Sequence, residues 1–190
     1  MLRYRDIQEF EGSLKLKLDL HTHPLEATRF VEPTIEVVAE IMARIKGRGL
    51  DGIAVTEHNN KEYGYRVKAI AERHFPGVIV IPGQEIEVGL EATEQAVELY
   101  LPDGSTFRFW VHPAYPPFYP WGFACVGGIH GMEVANAMYG HLNGGMLEEV
   151  AQKHGLFMLR NSDAHYLDDI GKYFNRVDIE ELSNLARCHV

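Results

Sequence analysis

The sequence predicts an α/β fold, and two observations carry that prediction. Short apolar runs alternate along the chain with segments whose apolar residues recur at helical spacing, which is the pattern of strands and helices in regular alternation. Histidines and acids also stand at or just past the ends of the apolar runs, in the segments "DLHTHP", "VTEHN", "PGQEIEV", "WVHP" and "NSDAH". Because α/β barrels carry their functional residues at the carboxyl ends of their strands, these segments predict one shared site.

The first predicted strand covers residues 14–20, where leucines alternate with lysine and aspartate. His21 and His23 continue the polar face of that alternation. We expect the leucines to pack beneath helices and the polar face to point into a barrel or cleft, so that both histidines emerge on one side.

The next segments predict two helices and two strands. A helix begins after Thr34 and ends near Gly47, because apolar residues recur at helical spacing between them. The run "LDGIAVTEH" predicts a strand that ends at His58, and a second helix follows over residues 61 to 74. The continuous apolar run "GVIVIPGQEIEV" predicts a buried parallel strand with Glu85 just past its end.

The second half of the chain continues with strand-like segments and one helix. Residues 97 to 111 are two strand-like runs around the turn signal Pro102–Gly104, and they predict a hairpin that delivers His112. "GMEVANA" predicts a further strand, and a helix follows it. "LFMLRNSDAH" predicts a strand that ends in Asp163 and His165.

Composition predicts the class of protein and its compartment. With 190 residues, of which 46% are hydrophobic and 24% charged, the chain predicts a single globular domain over residues 1–190. No apolar run approaches the roughly 20 residues of a membrane helix, and the start "MLRYRDIQEFEG" lacks a secretory signal. We therefore expect a cytoplasmic protein without a membrane partner.

Charge and cysteine content exclude other classes. The net charge of -9 argues against strong nonspecific binding to nucleic acid, whose affinity depends on Lys and Arg at phosphates. Bound divalent ions would offset that charge locally, so a small phosphorylated substrate remains compatible. Cys125 and Cys188 lie far apart and outside any C-x-x-C spacing, so they predict neither a disulfide framework nor a thiolate zinc site.

The histidines and acids at the strand ends are typical of a multinuclear metal site. Imidazole and carboxylate ligands accept manganese, iron or zinc according to supply as much as preference. Two or three such divalent ions can generate hydroxide at neutral pH and hold a phosphate. The chain therefore predicts a metallohydrolase.

The ordered set "DLHTH", "VTEHN", "GQEI", "HP", "GMEVAN" and "NSDAH" resembles the PHP (polymerase and histidinol phosphatase) family, from residue 15 to about residue 171. The resemblance implies a distorted, TIM-like (β/α)7 barrel of seven strands with helices outside. It also implies up to three divalent metals at the carboxyl ends of the strands, and the hydrolysis of a phosphoester.

The resemblance further implies metal-binding roles: the first metal is bound by His21, His23 and Asp163, the second by His112 and Asn136, and the third by His58 and His165, with Glu85 bridging the first two. The candidate catalytic residues are Asp163, His165 and Glu85, and His165, Asp163 or a water on the third metal would assist proton transfer to the leaving group. A bridging carboxylate lets two cations lie close together, and neutral imidazoles leave each ion enough Lewis acidity to activate water.

Two departures from the family pattern concern the third metal. Glu57 stands before His58 where the family usually has Asp, and its longer side chain would alter a supporting contact. Many members also carry an acid or histidine a few residues after the H-x-H pair. Glu26 is a candidate for that ligand here, although its register differs.

Several other residues are candidates, each with a structural alternative. Arg160 and Arg29 are candidate phosphate-binding residues, because Arg forms bidentate contacts to phosphate, or else they are surface ion-pair residues. His130 and His141 flank "GMEVAN" and are either further ligands or ordinary surface histidines. Glu133 is expected to support its strand.

The leading expectation is a metal-dependent phosphoric ester hydrolase that cleaves a small phosphorylated monoester or diester with a metal-activated hydroxide. A metal-dependent amidohydrolase is one alternative, because activated water also attacks carbonyl carbon, although Glu85 and not a lysine stands at the bridging position. A non-catalytic metal-binding accessory domain is the other, because some PHP modules in larger polymerases are degenerate.

Overall fold

The computed structural model describes residues 15–88, 94–113, 128–140 and 144–188. Its strands are β1 (Leu16–Asp19), β2 (Gly52–Val55), β3 (Ile79–Val88), β4 (Glu94–Tyr100), β5 (Thr106–Trp110), β6 (Gly131–Asn136), β7 (Phe157–Asn161) and β8 (Asn175–Val177). Its helices are α1 (Pro24–Ala27), α2 (Ile35–Gly47), α3 (Lys61–His74), α4 (Gly144–His154) and α5 (Ile179–Cys188). His141 and Cys125 lie outside the described residues.

The eight strands of the described ranges form one sheet in the order β7-β6-β5-β4-β3-β2-β1-β8. All run in the same direction except β4 and β8, which run opposite to their neighbours. The predicted α/β barrel is confirmed, as is the predicted hairpin, which supplies β4 and β5. The barrel has eight strands instead of the implied seven, because the short β8 adds to the free edge of β1.

The two ends of the sheet, β7 and β8, are joined by the side chain of Asn175. The backbone N–H of Arg160 donates to Asn175 Oδ1 at 2.8 Å, and Asn175 Nδ2 donates to the carbonyl of Arg160 at 3.1 Å. Asn175 Nδ2 also donates to Asn161 Oδ1 at 2.7 Å. The Asn175 amide therefore takes the place of a peptide group at the seam and satisfies edge-strand backbone groups.

An apolar cluster fills the barrel interior, and seven of the eight described strands contribute to it. Leu18 and Leu20 belong to this cluster, and α5 adds Leu182 and Ala186. The expectation that the leucines pack beneath helices is therefore wrong. Because Leu18 and Leu20 share this cluster with residues of so many strands, their side chains point into the barrel.

Helices cover the outside of the barrel. α2 and α3 pack on β2, and α4 packs on β6. Thr34 caps α2 by accepting from the Val37 N–H at 3.3 Å, and Asn60 caps α3 by accepting from the Tyr63 N–H at 3.3 Å. Both helices are confirmed at their predicted positions. No helix within the described ranges has the length and apolar character to cross a membrane.

Candidate metal centre

The carboxyl ends of the parallel strands meet at one mouth of the barrel. The predicted ligands lie there: His21 and His23 after β1, His58 after β2, Glu85 in β3, His112 after β5, and Asp163 and His165 after β7. Glu85 lies inside β3 and not past its end, because β3 continues to Val88 as the partner of β4. Isolated bridges join Thr22 to Ala164 and His58 to Glu85, and these bridges fix the strand ends relative to one another.

The most buried part of the site, here called the floor cluster, consists of His21, His23, Glu85 and Asp163, which are at most 3% exposed. The Nε2 atoms of His21 and His23 lie 3.1 Å apart. Asp163 Oδ1 lies 3.4 Å from the His21 nitrogen and 3.2 Å from that of His23. Glu85 Oε2 lies 3.6 and 3.4 Å from the same two nitrogens. Both carboxylate oxygens therefore lie close to the same two imidazole nitrogens.

The floor cluster fits a divalent metal ion. An ion bound tetrahedrally at about 2.1 Å separates its ligand atoms by about 3.4 Å. The two imidazole nitrogens lie 3.1 Å apart, and each lies 3.2–3.6 Å from Glu85 Oε2 and Asp163 Oδ1. Glu85 Oε2 and Asp163 Oδ1 are buried and accept no hydrogen bond from the described residues. A buried carboxylate oxygen without a partner is costly, and a bound cation removes that cost.

Burial alone would raise the pKa of both floor carboxyls, but the neighbouring histidines outweigh it. The charge of His21 lowers the pKa of Asp163 well below its usual range. The hydrogen bond from His112 and the charge of His21 do the same for the pKa of Glu85. Burial lowers the pKa of His23 to about 4, whereas Asp163, against the effect of burial, helps to raise the pKa of His21. Ionised carboxylates and a neutral His23 are suited to binding a metal.

Glu133 orients the floor cluster, which is a role beyond the strand support that its sequence predicts. It is fully buried in β6. His21 Nδ1–H donates to Glu133 Oε1 at 3.2 Å, which leaves Nε2 of His21 for a metal. Asn161 Nδ2 donates to the same oxygen, and the His112 backbone N–H donates to Oε2, both at 2.9 Å. An acid within an otherwise apolar strand needs buried partners, and that is the sequence signal for this role.

The structure places Asn136 differently from its predicted role as a ligand. Asn136 Nδ2 donates to Glu133 Oε2 at 2.8 Å and to Asp163 Oδ2 at 3.2 Å. Its Oδ1 accepts from the backbone N–H groups of Met138 at 2.9 Å and Tyr139 at 3.2 Å. Both ends of the amide are thus engaged, so Asn136 positions Asp163 instead of facing the clusters of donor atoms.

A more open group, here called the rim cluster, consists of Glu26, His58 and His165 beside the ring of His23. Glu26 Oε1 lies 3.6 Å from His58 Nε2, and Glu26 Oε2 lies 3.7 Å from His165 Nε2. His165 Nδ1–H donates to the Asp163 carbonyl at 2.9 Å, which leaves Nε2 free. α1 brings Glu26 to the rim, so the structure supplies an acid at the position that the sequence left open.

His112 forms the remaining group of donor atoms with His21 and Glu85. Its Nε2 lies 3.1 Å from Glu85 Oε1, while Glu85 Oε2 faces the floor cluster. One oxygen of the Glu85 carboxylate therefore faces His112, and the other faces the floor cluster. The ring of Tyr139 lies beside that of His112, with centroids 4.8 Å apart.

Three other candidates lie away from the donor clusters or at their margin. Arg160 points outward from β7 and donates to Glu148 at 2.6 Å, so the structure favours its ion-pair alternative over phosphate binding. His130 Nδ1 accepts from the Arg108 backbone N–H at 2.9 Å and belongs to none of the donor groups. Arg29 is exposed in the turn after α1, and its phosphate contact stays a prediction.

Backbone strain in the described residues concentrates around this mouth. The non-glycine residues with positive φ are Arg29, Phe30, Asn59, His112 and Asp163. Two of them, His112 (φ 32°) and Asp163 (φ 53°), are predicted ligands. Such conformations cost about 1–3 kcal/mol each and persist where the surrounding structure fixes them. Their clustering is independent support for a functional site at this end of the barrel.

The PHP-associated family model matches residues 145–186, from α4 to α5. The match adds to the ordered motifs, whose histidines and acids the barrel brings together at one mouth. In this segment and in its ordered motifs, the chain is similar to the PHP family.

Solved structures share the fold of this chain at low sequence identity. PsfC from Pseudomonas syringae is 17% identical, with a TM-score of 0.62 over 88% of this chain and 87% of that one. A proposed metal-dependent phosphoesterase from Bifidobacterium adolescentis is 12% identical, with a TM-score of 0.61 over 90% and 96%. An amidohydrolase from Chromobacterium violaceum is 15% identical, with a TM-score of 0.65 over 88% and 96%. No curated protein sequence matches the chain significantly.

Proposed function

We propose that this protein is a metal-dependent phosphoesterase that hydrolyses a small phosphorylated substrate. The observation that carries the proposal is the floor cluster, whose imidazole nitrogens lie 3.1–3.6 Å from each other and from the Glu85 and Asp163 oxygens. Those buried carboxylate oxygens have no hydrogen-bond donor among the described residues. Divalent ions held by the floor, the rim and His112 would activate water at neutral pH and neutralise the charge of a phosphoryl group.

The side chains divide the remaining work. His21, His23 and Asp163 would hold one ion, and Glu85, whose Oε1 faces His112, would help to hold another. His165 is held by its Nδ1–H bond to the Asp163 carbonyl, so its Nε2 is directed to the open side of the site. If the rim holds an ion, that nitrogen would bind it; if the rim is empty, that nitrogen would hold or pass the proton that the leaving group requires.

Two observations favour a phosphoester over an amide. The acids of the clusters pair with histidines in the described part of the chain, and the bridging position holds Glu85 and not a lysine. A phosphoryl group therefore matches the charge of the loaded clusters.

A hydrolysis panel with manganese-reconstituted protein tests the proposal. The panel contains phosphomonoesters, phosphodiesters and nucleotides, with amides and lactones beside them. We expect phosphoester hydrolysis that falls to background after chelation and in Asp163→Asn. Asp168→Asn is the matched control, because that side chain is 78% exposed and pairs with Arg44.

The other outcomes contradict the proposal in different ways. Hydrolysis of amides or lactones alone identifies the amidohydrolase. Bound metal without turnover of any substrate identifies the accessory domain. Phosphoester hydrolysis that survives chelation, or that survives His21→Ala, separates the activity from this site.

A further inference from the structure

We propose that Glu57 is a positioning residue that fastens α1 to the barrel and thereby places Glu26 in the rim cluster. The inference rests on the metal-binding part of the proposed function. Glu57 itself belongs to none of the groups of donor atoms. It would act on the rim ion through the backbone of Leu25, the residue before Glu26.

The contact that carries the inference joins two segments far apart in sequence. Glu57 follows β2, is 2% exposed, and accepts from the Leu25 backbone N–H through Oε1 at 2.7 Å. Its Oε2 lies 4.0 Å from His23 Nδ1. Glu57 therefore lies against two neighbours of the rim cluster, Leu25 and His23, and it directly precedes one member of the cluster, His58.

α1 depends on this contact because it lacks other means of satisfying its first turn. The helix has four residues, and its N-cap, His23, makes no side-chain capping bond. Pro24 has no N–H, so Leu25 is the first helical residue that can donate. A helix this short has no stability of its own in water. Its position is set by its anchors. The His23 N–H donates to the Ala164 carbonyl just before the helix, Leu25 packs on the outer apolar cluster, and Glu57 holds the first N–H of the helix itself.

The reach of the Glu57 side chain decides where Glu26 lies. The two carboxylate oxygens of Glu26 lie 3.6 Å from His58 Nε2 and 3.7 Å from His165 Nε2. A small displacement of α1 would therefore move Glu26 away from both histidines. Shortening Glu57 to Asp withdraws the carboxylate by roughly one C–C bond, about 1.5 Å, which is too far for the Leu25 bond. Gln keeps both the reach and an acceptor oxygen. Glu57→Asp therefore tests the length of the side chain, and Glu57→Gln tests its charge.

The test uses the full chain and measures manganese directly. Bound manganese per chain and the affinity of each ion are determined for the native protein, Glu57→Asp, Glu57→Gln and Glu26→Gln. Hydrogen exchange of the Leu25 amide is measured in parallel on metal-free protein, where it reports the Leu25–Glu57 hydrogen bond without any bound ion. Glu62→Asp on α3 is the matched control, because that glutamate is exposed.

We expect Glu57→Asp to weaken one ion by about 10–100-fold, the range for residues that support a ligand, and to leave the floor ion in place. The same variant should lose protection of the Leu25 amide, while Glu57→Gln and Glu62→Asp keep both properties. Because Glu57 acts through Glu26, the double variant Glu26→Gln/Glu57→Asp should bind no more weakly than Glu26→Gln alone.

Native affinity for every ion in Glu57→Asp overturns the inference, as does unchanged exchange at Leu25. A native protein that binds no ion at the rim overturns it as well. If the rim ion binds and responds as expected but no phosphoester is hydrolysed, the inference stands and only the proposed function fails.

Discussion

The floor and the rim of the site meet at His23 and where His58 contacts Glu85, but they are built in different ways. The floor carboxylates and imidazoles are at most 3% exposed, and buried side chains such as Glu133 and Asn136 hold them. The rim side chains are 20–43% exposed, and Glu26 comes from a four-residue helix. One group is part of the barrel core, and the other is attached to it.

This difference predicts how each group responds to change. Buried donors fixed by a hydrogen-bond network are oriented before an ion arrives, so little ordering is required on binding. Exposed side chains on a short helix must be ordered, and water reaches the ion they hold. We therefore expect the floor ion to be coupled to the stability of the fold and the rim ion to exchange with solution.

The largest expected effect comes from removing the support of the floor. Glu133→Ala leaves His21 Nδ1, the His112 N–H and Asn161 without their buried acceptor. Removing one partner of a buried network of charged groups costs about 3–5 kcal/mol. Urea unfolding of the metal-free protein measures this free energy.

Glu149→Ala is the control for that experiment, because Glu149 is exposed on α4 and such changes stay within about 0.5 kcal/mol. A loss below about 1 kcal/mol in Glu133→Ala would mean that the floor is not held by this network. The distinction between floor and rim would then be one of exposure alone.

Stepwise chelation gives the next largest effect. Ions that bind only the folded state add to its stability according to their affinity. As chelator is added, the rim ion should leave first with a small drop in melting temperature, and the floor ion should leave later with a large one. Metal content and unfolding temperature are followed together. Simultaneous loss of all ions would show that the two groups form a single cooperative site.

A smaller change is expected when a rim ligand is removed. Glu26→Gln keeps the size of the side chain but removes its charge, so the rim should lose its ion while the floor keeps its own. Hydrolysis should be reduced but not abolished, whereas Glu85→Gln should abolish it, because Glu85 faces both the floor cluster and His112. Equal losses in the two variants would remove the functional difference between rim and floor.

The ligands could be predicted from the sequence because they stand where strands end. His58 and Glu85 follow or interrupt apolar runs, and the parallel order of β2 and β3 brings them together. The supporting network could not be predicted in the same way. The Leu20 N–H, for example, donates to Asn161, which lies 141 residues away, and no local pattern encodes such a contact.

The error over the leucines of β1 has a related cause. Alternation shows that a strand has two unlike faces, but in a barrel with outer helices both faces are buried. Asp19 on the second face is fully buried, where it accepts from the Ser162 and Gly171 N–H groups at 3.1 and 2.9 Å. The polar residues of β1 therefore did not indicate which of its two faces points into the barrel. β8 was missed because three residues are too few to display any period.

The smallest expected effect concerns Arg160, a predicted phosphate contact that the alternation of β7 directs outward. Its neighbours Leu159 and Asn161 are buried, while Arg160 is 56% exposed at its side chain and pairs with Glu148. Exposed pairs of this kind contribute about 0–1 kcal/mol, so Arg160→Ala should change stability by no more than that and leave metal content and hydrolysis as they are. Arg29→Ala is the informative companion, because Arg29 follows the helix that carries Glu26. A tenfold rise in KM for Arg160→Ala, with Arg29→Ala unaffected, would place the substrate on the outer side of β7 and would undo the assignment of this mouth of the barrel as the binding site.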